Sequence, residues 1–227
     1  MPERETVTEQ TCPGLDTGRV RPEEIRLVIV ITAPSGAGKT TVIRRLLESD
    51  SRLHYSISAT TRPRRDNEVD GKDYFFLGEG EFRQRLEAGE FAEWAVVHDH
   101  LYGTLKSQIE KNLAAGYHVV MDVDVQGAEQ LRHTCRAGVF IYLAPPSLTE
   151  LERRLRSRGT EDPATLERRL ANAREEIQRL PHFDYLVLNE DLERSVEAVQ
   201  AIIAAEEHRV KRLADPYAVV RKLLYKK

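Results

Sequence analysis

Long apolar runs are missing from this 227-residue chain. No stretch of about 18 apolar residues occurs, which argues against a membrane-spanning helix. Cysteine is scarce. Cys12 and Cys135 stand far apart, without the close spacing of a zinc or CxxC redox motif, and they read as free thiols of a reducing compartment. An excess of one charge is also missing. The chain carries 34 Lys and Arg against 37 Asp and Glu, a formal net charge of −3, so the overall balance does not predict a nucleic-acid partner. The opening residues are polar and charged and hold no apolar core of a secretory signal. With 41% hydrophobic and 31% charged residues, the composition is that of a globular protein. The expected location is the cytoplasm, with no membrane and no obligate protein partner.

Residues 1–24 lack periodicity and read as a flexible tail. The run Arg26-Leu-Val-Ile-Val-Ile-Thr32 then fits a strand buried on both faces of a parallel sheet. Thr40 to Ser49 places Val42, Ile43, Leu46 and Leu47 on one helical face. The same strand-then-helix rhythm returns with strands at Tyr117–Val123, Val139–Leu143 and Tyr185–Leu188, the last followed by a helix to about His208. Such alternation predicts an α/β fold with a parallel sheet.

Two segments break that rhythm within the core domain, 25–207. Residues about 53–104 carry short strand patterns, aromatics and a helix near Glu79–Ala88, and predict a small α+β insertion. Residues about 149–179 are a charged helical stretch interrupted at Gly159–Pro163, and predict a helical lid. A core with two appendages suits an enzyme that closes on two substrates. The end, 208–227, is basic and reads as a helix with Val219, Val220, Leu223 and Leu224 on one side, free to pack on the core or on a partner.

Between the first strand and helix stands Ala33-Pro34-Ser35-Gly36-Ala37-Gly38-Lys39-Thr40. The glycines let backbone N–H groups turn inward, and the helix N-terminus adds its positive end. Lys39 reaches the β- and γ-phosphates of a nucleoside triphosphate, and Thr40 binds Mg²⁺. Ala33 stands where the general pattern has its first glycine. Because the loop follows a strand and opens a helix, the core reads as a P-loop NTPase-type parallel sheet.

A second anion site is suggested by Thr60-Thr-Arg62-Pro-Arg64-Arg65, since arginine binds phosphate bidentately. An arginine cluster alone is more often a solvated turn. Further on come Lys72-Asp-Tyr74, Phe91-Ala-Glu93-Trp, Leu101-Tyr102-Gly-Thr104 and Met121-Asp122-Val-Asp124-Val-Gln-Gly127. In this order and at these separations, the blocks resemble bacterial guanylate kinases over about Ile25 to Glu207. The sequence departs from the family pattern at Pro63 and Arg64, and at Asp66-Asn67, which replace a small residue and glycine. Asn67 can adopt the positive φ of that turn, and Arg64 is an extra donor.

The resemblance implies a GMP site in which Ser58, Glu93, Thr104 and Asp124 line the guanine pocket and Arg62, Arg65, Tyr74 and Tyr102 hold the phosphate. Guanine offers N1–H and N2–H₂ donors on one edge, and carboxylates accept them. Asp122 and Asp124 share one face at a strand end, where carboxylates can also cap a helix. Asp122 is expected to help place Mg²⁺ through water. In the lid, the resemblance implies that Arg154, Arg158 and Arg169 close over ATP, and that Asn189 lies near the adenine. The implied reaction, part of purine nucleotide metabolism, passes the γ-phosphate of ATP to GMP, with dGMP also accepted, and needs alignment and charge neutralisation more than covalent chemistry.

Two rival readings are a non-catalytic binding module of the same fold and a P-loop kinase for a different acceptor. The intact Gly38-Lys39-Thr40 speaks against the first, and Glu93 with Asp124 against the second. A metal site at His98-Asp99-His100 is a weaker idea, because no distant third ligand is evident.

Overall fold

The computed structural model describes residues 25–97, 99–135, 137–157, 163–213 and 215–225. Its central sheet contains β1 (Val28–Thr32), β2 (Leu53–Tyr55), β7 (His118–Asp122), β8 (Val139–Ala144) and β9 (Tyr185–Leu188), in the order β2-β7-β1-β8-β9. All the pairings are parallel. Every residue of β1 is buried, as its unbroken β-branched run predicts. Alternate side chains feed two cores. Ile29 and Ile31 join Val42, Ile43 and Leu46 of α1 (Lys39–Ser49) and Val196, Val199 and Ile203 of α7 (Leu192–Glu207). Val28 and Val30 face Ile109 and Leu113 of α3 (Lys106–Ala114) and Ala128 and Leu131 of α4 (Val125–Thr134). The result is three layers, helix on sheet on helix.

The insertion has its own sheet, β4-β3-β6-β5, built from β3 (Ala59–Thr60), β4 (Phe75–Phe76), β5 (Phe91–Val97) and β6 (His100–Leu105). Phe82 of α2 (Glu79–Glu87) stacks on Phe91 at 4.3 Å and seals a separate small core. The segment expected to form a lid is a pair of helices, α5 (Leu148–Ser157) and α6 (Pro163–Ile177), held together by Leu151, Leu155, Leu166, Leu170 and Ala173. The basic end forms a short 3-10 turn, Val210–Arg212, and α8 (Pro216–Tyr225). Leu213 packs on the main core, whereas Val220 and Leu224 are exposed. The N-terminal tail and His98 lie outside the described residues, and no group of three or more potential metal-ligating side chains occurs among those that are described.

Several expectations need correction. Leu53–Tyr55 is the edge strand of the main sheet and not the start of the insertion, because it pairs in parallel with β7. Three residues with a half-exposed His54 are too short a pattern to show this. α3 has no counterpart in the sequence reading; its buried face is only Ile109 and Leu113. Asn67 does not take a positive φ, since Asp99 is the sole non-glycine in that region among the described residues; the turn closes through Glu68 N–H to Arg65 O. Cys135 is not a free thiol but is disulfide-bonded, which sequence separation alone cannot reveal.

One polar clip crosses the layers. His118, 1% exposed, accepts the Leu27 N–H at Nδ1, so Nε2 carries the ring proton and faces Glu207 at 2.8 Å. This ties the end of α7 to the start of β7.

Leu46 fills the main core with no exposure. Leu46→Ala is expected to destabilise the protein by about 2–5 kcal/mol, read as a shift of the urea midpoint at unchanged slope. A midpoint unchanged from the parent would contradict this packing.

Candidate active site

β1 ends at Thr32 and α1 begins at Lys39, so Ala33 to Gly38 must turn the chain between a buried strand and a helix. Ala37 N–H closes the turn on Pro34 O at 3.0 Å. Gly36 and Gly38 have φ of 90° and 93°, a region that L side chains rarely adopt. A Cβ on Gly36 would also meet Leu155 at 2.7 Å, so α5 leans directly on the loop.

The loop borders a cleft of about 460 Å³, with Ser35, Gly36, Gly38, Lys39 and Thr40 on one wall. Asp124 and Gln126 from the start of α4, and Arg169, Asn172 and Glu176 from α6, form the other. Beside it is a smaller cavity of about 180 Å³, lined by Ser58, Tyr74, Glu93, Tyr102, Asp122 and Asp124, with Tyr55. Lys39, Val97 and Asp124 line both. The two cavities therefore share a wall that includes Lys39. Its ammonium group lies 2.5 Å from Asp122 Oδ1 and donates to Val123 O at 2.8 Å.

Glu93 sits in β5 opposite Thr104 of β6, whose hydroxyl donates to its Oε1 at 2.7 Å. Gly127, in the first turn of α4, leaves space for the carboxylate; a Cβ there would meet Glu93 Oε2 at 2.5 Å. Burial pushes the Glu93 carboxyl up to about 7, against the Thr104 hydrogen bond and with help from Asp124. Asp124 also caps α4, accepting from Gly127 N–H at 2.8 Å. The capping alternative and a place in the cavity wall are thus both true of it.

Arg62 and Arg65 do not line the small cavity but stand beside it. Arg62 donates to Glu68 at 2.6 Å, and its guanidinium lies 5.5 Å from the Tyr74 ring centroid and 5.8 Å from that of Phe76. The other Glu68 oxygen accepts the Arg65 N–H at 2.9 Å. Glu68 thereby fixes the arginine loop from below, and the Arg62 hydrogen bond lowers its pKa. The Arg65 side chain is exposed, and Arg64 donates to Glu68 O at 3.1 Å. Tyr74 and Tyr102 meet edge to face at 6.0 Å.

In α5, Arg154 is braced by Glu150 at 2.8 Å and donates to the backbone oxygens of Ala37 and Asn189 at 3.3 and 2.9 Å. Arg169 faces the cleft, and Arg158 lies outside the described residues. Asn189 follows β9, is buried, and donates to Ala37 O at 2.6 Å.

Sequence reasoning missed Tyr55, Gln126, Asn172, Glu176 and Glu68. The first four reach the cavities from elements whose arrangement only the fold provides. Burial holds the Glu176 carboxyl near 7, although Lys39 opposes the shift. Glu68 did carry a signal, an acid three residues after Arg65 in the same turn.

A family model described as guanylate kinase matches residues 25–206. A guanylate kinase of Thermotoga maritima is 49% identical over 188 residues, which cover 83% of this chain and 91% of the relative. One from Caldanaerobacter subterraneus subsp. tengcongensis is 47% identical over 195 residues, covering 86% and 95%. The crystal structure of guanylate kinase from Anaplasma phagocytophilum superposes with a TM-score of 0.72 at 30% identity, covering 88% of this chain and 95% of that one. The chain belongs to the guanylate kinase family.

Proposed function

We propose that this chain transfers the γ-phosphate of ATP to GMP, giving ADP and GDP. The observation that carries the proposal is the pair of cavities meeting at Lys39, one bordered by the glycine loop and the other holding the buried Glu93. ATP occupies the larger cleft, with its phosphates on the loop amides and its γ-phosphate at Lys39. GMP occupies the smaller one. Glu93 and Asp124 accept from the guanine edge, Ser58 and Thr104 shape that pocket, and Tyr74, Tyr102, Arg62 and Arg65 take the phosphate. Adenine lacks the donor pair and would leave Glu93 unsatisfied. dGMP presents the same base edge and phosphate and belongs to the same acceptor class.

Phosphoryl transfer requires in-line placement and positive charge around the moving group. Lys39 supplies one charge from the shared wall. Arg169 supplies another from α6, and Arg154 and Arg158 complete the lid's contribution. Thr40 at the mouth of the cleft and Asp122 beside Lys39 are hard oxygen donors. They fit a Mg²⁺ ion that keeps part of its water shell. The ion, when bound, neutralises charge on the β- and γ-phosphates. No described helix is long and apolar enough to cross a membrane, and the proposal places the protein in the cytoplasm, where both nucleotides are available for purine nucleotide metabolism.

Two experiments test this reading. Lys39→Ala is expected to lower turnover by roughly 10²–10³-fold or more, while GMP affinity measured by calorimetry changes little; full activity would sink the loop assignment. The second concerns pH. The Glu93 pKa is about 7, and guanine needs its ionised form, so protons compete with GMP as pH falls. GMP affinity is expected to hold above pH 7 and to weaken by up to about tenfold per unit below it. Glu93→Gln is expected to bind GMP weakly without that slope and to keep ATP affinity. Equal losses for both nucleotides would contradict the guanine pocket.

A further inference from the structure

Asn189 makes contacts with the glycine loop that an adenine-binding role does not require. Its side chain is 7% exposed and belongs to the lining of neither cavity. Nδ2 donates to Ala37 O at 2.6 Å, and Oδ1 lies 3.0 Å from the hydroxyl of Ser195, itself 1% exposed. The amide can face only one way. Reversed, its oxygen would meet the Ala37 carbonyl, acceptor against acceptor. Ser195 shares its hydroxyl hydrogen between Asn189 and the Asp191 carbonyl at 2.7 Å, and so seats the amide from α7.

The carbonyl held in this way belongs to the peptide between Ala37 and Gly38. That peptide is trans, so its N–H points opposite to its C=O. With the oxygen tied to Asn189, and to Arg154 at 3.3 Å, the Gly38 N–H faces the other side. That side is the cleft, which Gly38 lines and Ala37 does not. Glycine does not enforce this choice. A flip of the peptide would carry Gly38 from φ 93° to negative φ, which glycine adopts as readily. The flipped state would remove an amide donor from the phosphate site and turn a carbonyl oxygen toward it. The side chain also sits directly against the loop: a Cβ on Gly38 would meet Asn189 Nδ2 at 2.5 Å.

We propose that Asn189, seated by Ser195, is a positioning residue that locks the Ala37–Gly38 peptide with its amide hydrogen toward the phosphates of ATP. It differs from an adenine-contacting role in acting through the backbone of the loop. The inference rests on the reading of the larger cleft as the ATP site.

The test uses the full chain with MgATP and GMP titrated separately by calorimetry, and the Gly38 amide followed by ¹⁵N NMR. Asn189→Asp keeps the shape but loses the donor, and Asn189→Ala removes the whole group. Both are expected to weaken ATP binding by about tenfold, leave GMP affinity within about twofold, and displace the Gly38 amide resonance in the nucleotide-free protein. Ser195→Ala, which loosens only the seat, is expected to weaken ATP by about threefold. It carries the same readouts should either Asn189 variant fail to fold. ATP affinity within about twofold of the parent, with Gly38 unmoved, would overturn the proposal. Lys39→Ala separates the two levels. If it loses ATP while Asn189→Asp retains it, only the brace fails; if Lys39→Ala also binds ATP unchanged, the reading of the cleft fails with it.

Discussion

Two-sided burial of β1 is the constraint from which the rest of the site follows. Its residues pack against α1 and α7 on one face and against α3 and α4 on the other. Its edges are bonded to β7 and β8. Thr32 is therefore fixed in space, and so is Asp122, which ends the neighbouring β7. The glycine loop leaves from the first point and the acidic stretch Asp122–Asp124 from the second. Ligands of open parallel sheets bind beyond the carboxyl ends of such strands, and here one end supplies backbone amides while the other supplies carboxylates.

Several charges of the site are already held by the protein before substrates arrive. Lys39 is held by Asp122 and the Val123 carbonyl. Arg62 is held by Glu68, and Arg154 by Glu150 and two backbone oxygens. A polyanion entering the cleft exchanges partners with groups already oriented, which limits the ordering cost of binding. Two carboxyls break this pattern. Glu93 and Glu176 are both pushed up to about 7 by burial. Near neutral pH each is divided between its neutral and ionised forms, a state that a partner with matching donors can resolve. Guanine is such a partner for Glu93.

Much of this was legible in the residues themselves. The strands β1, β7 and β8 were visible because burial on both faces leaves continuous apolar runs, and β9 because its edge run Tyr185–Leu188 is apolar although Leu186 and Leu188 are exposed. β2 was not, since three residues carry too little pattern. The glycine loop announces itself because its chemistry is local: turn, amides, lysine and helix start lie within eight residues, Ala33 to Thr40. The acceptor cavity was legible only through resemblance, as Ser58, Glu93, Tyr102 and Asp124 come from segments that the fold alone unites. Glu176 and Asn172 lay hidden in a charged helix where one face looks like another. Asn189 was associated with ATP but for a different contact, because a hydrogen bond to a carbonyl 152 positions away leaves no trace in the sequence.

Comparing acceptors in a single assay tests the central claim most directly. ADP formation from MgATP would be followed with GMP, dGMP, AMP and ribose 5-phosphate in turn. The account predicts turnover with GMP and dGMP and essentially none with the other two, because only the guanine edge satisfies Glu93. Equal turnover with AMP, or none with GMP, would contradict it.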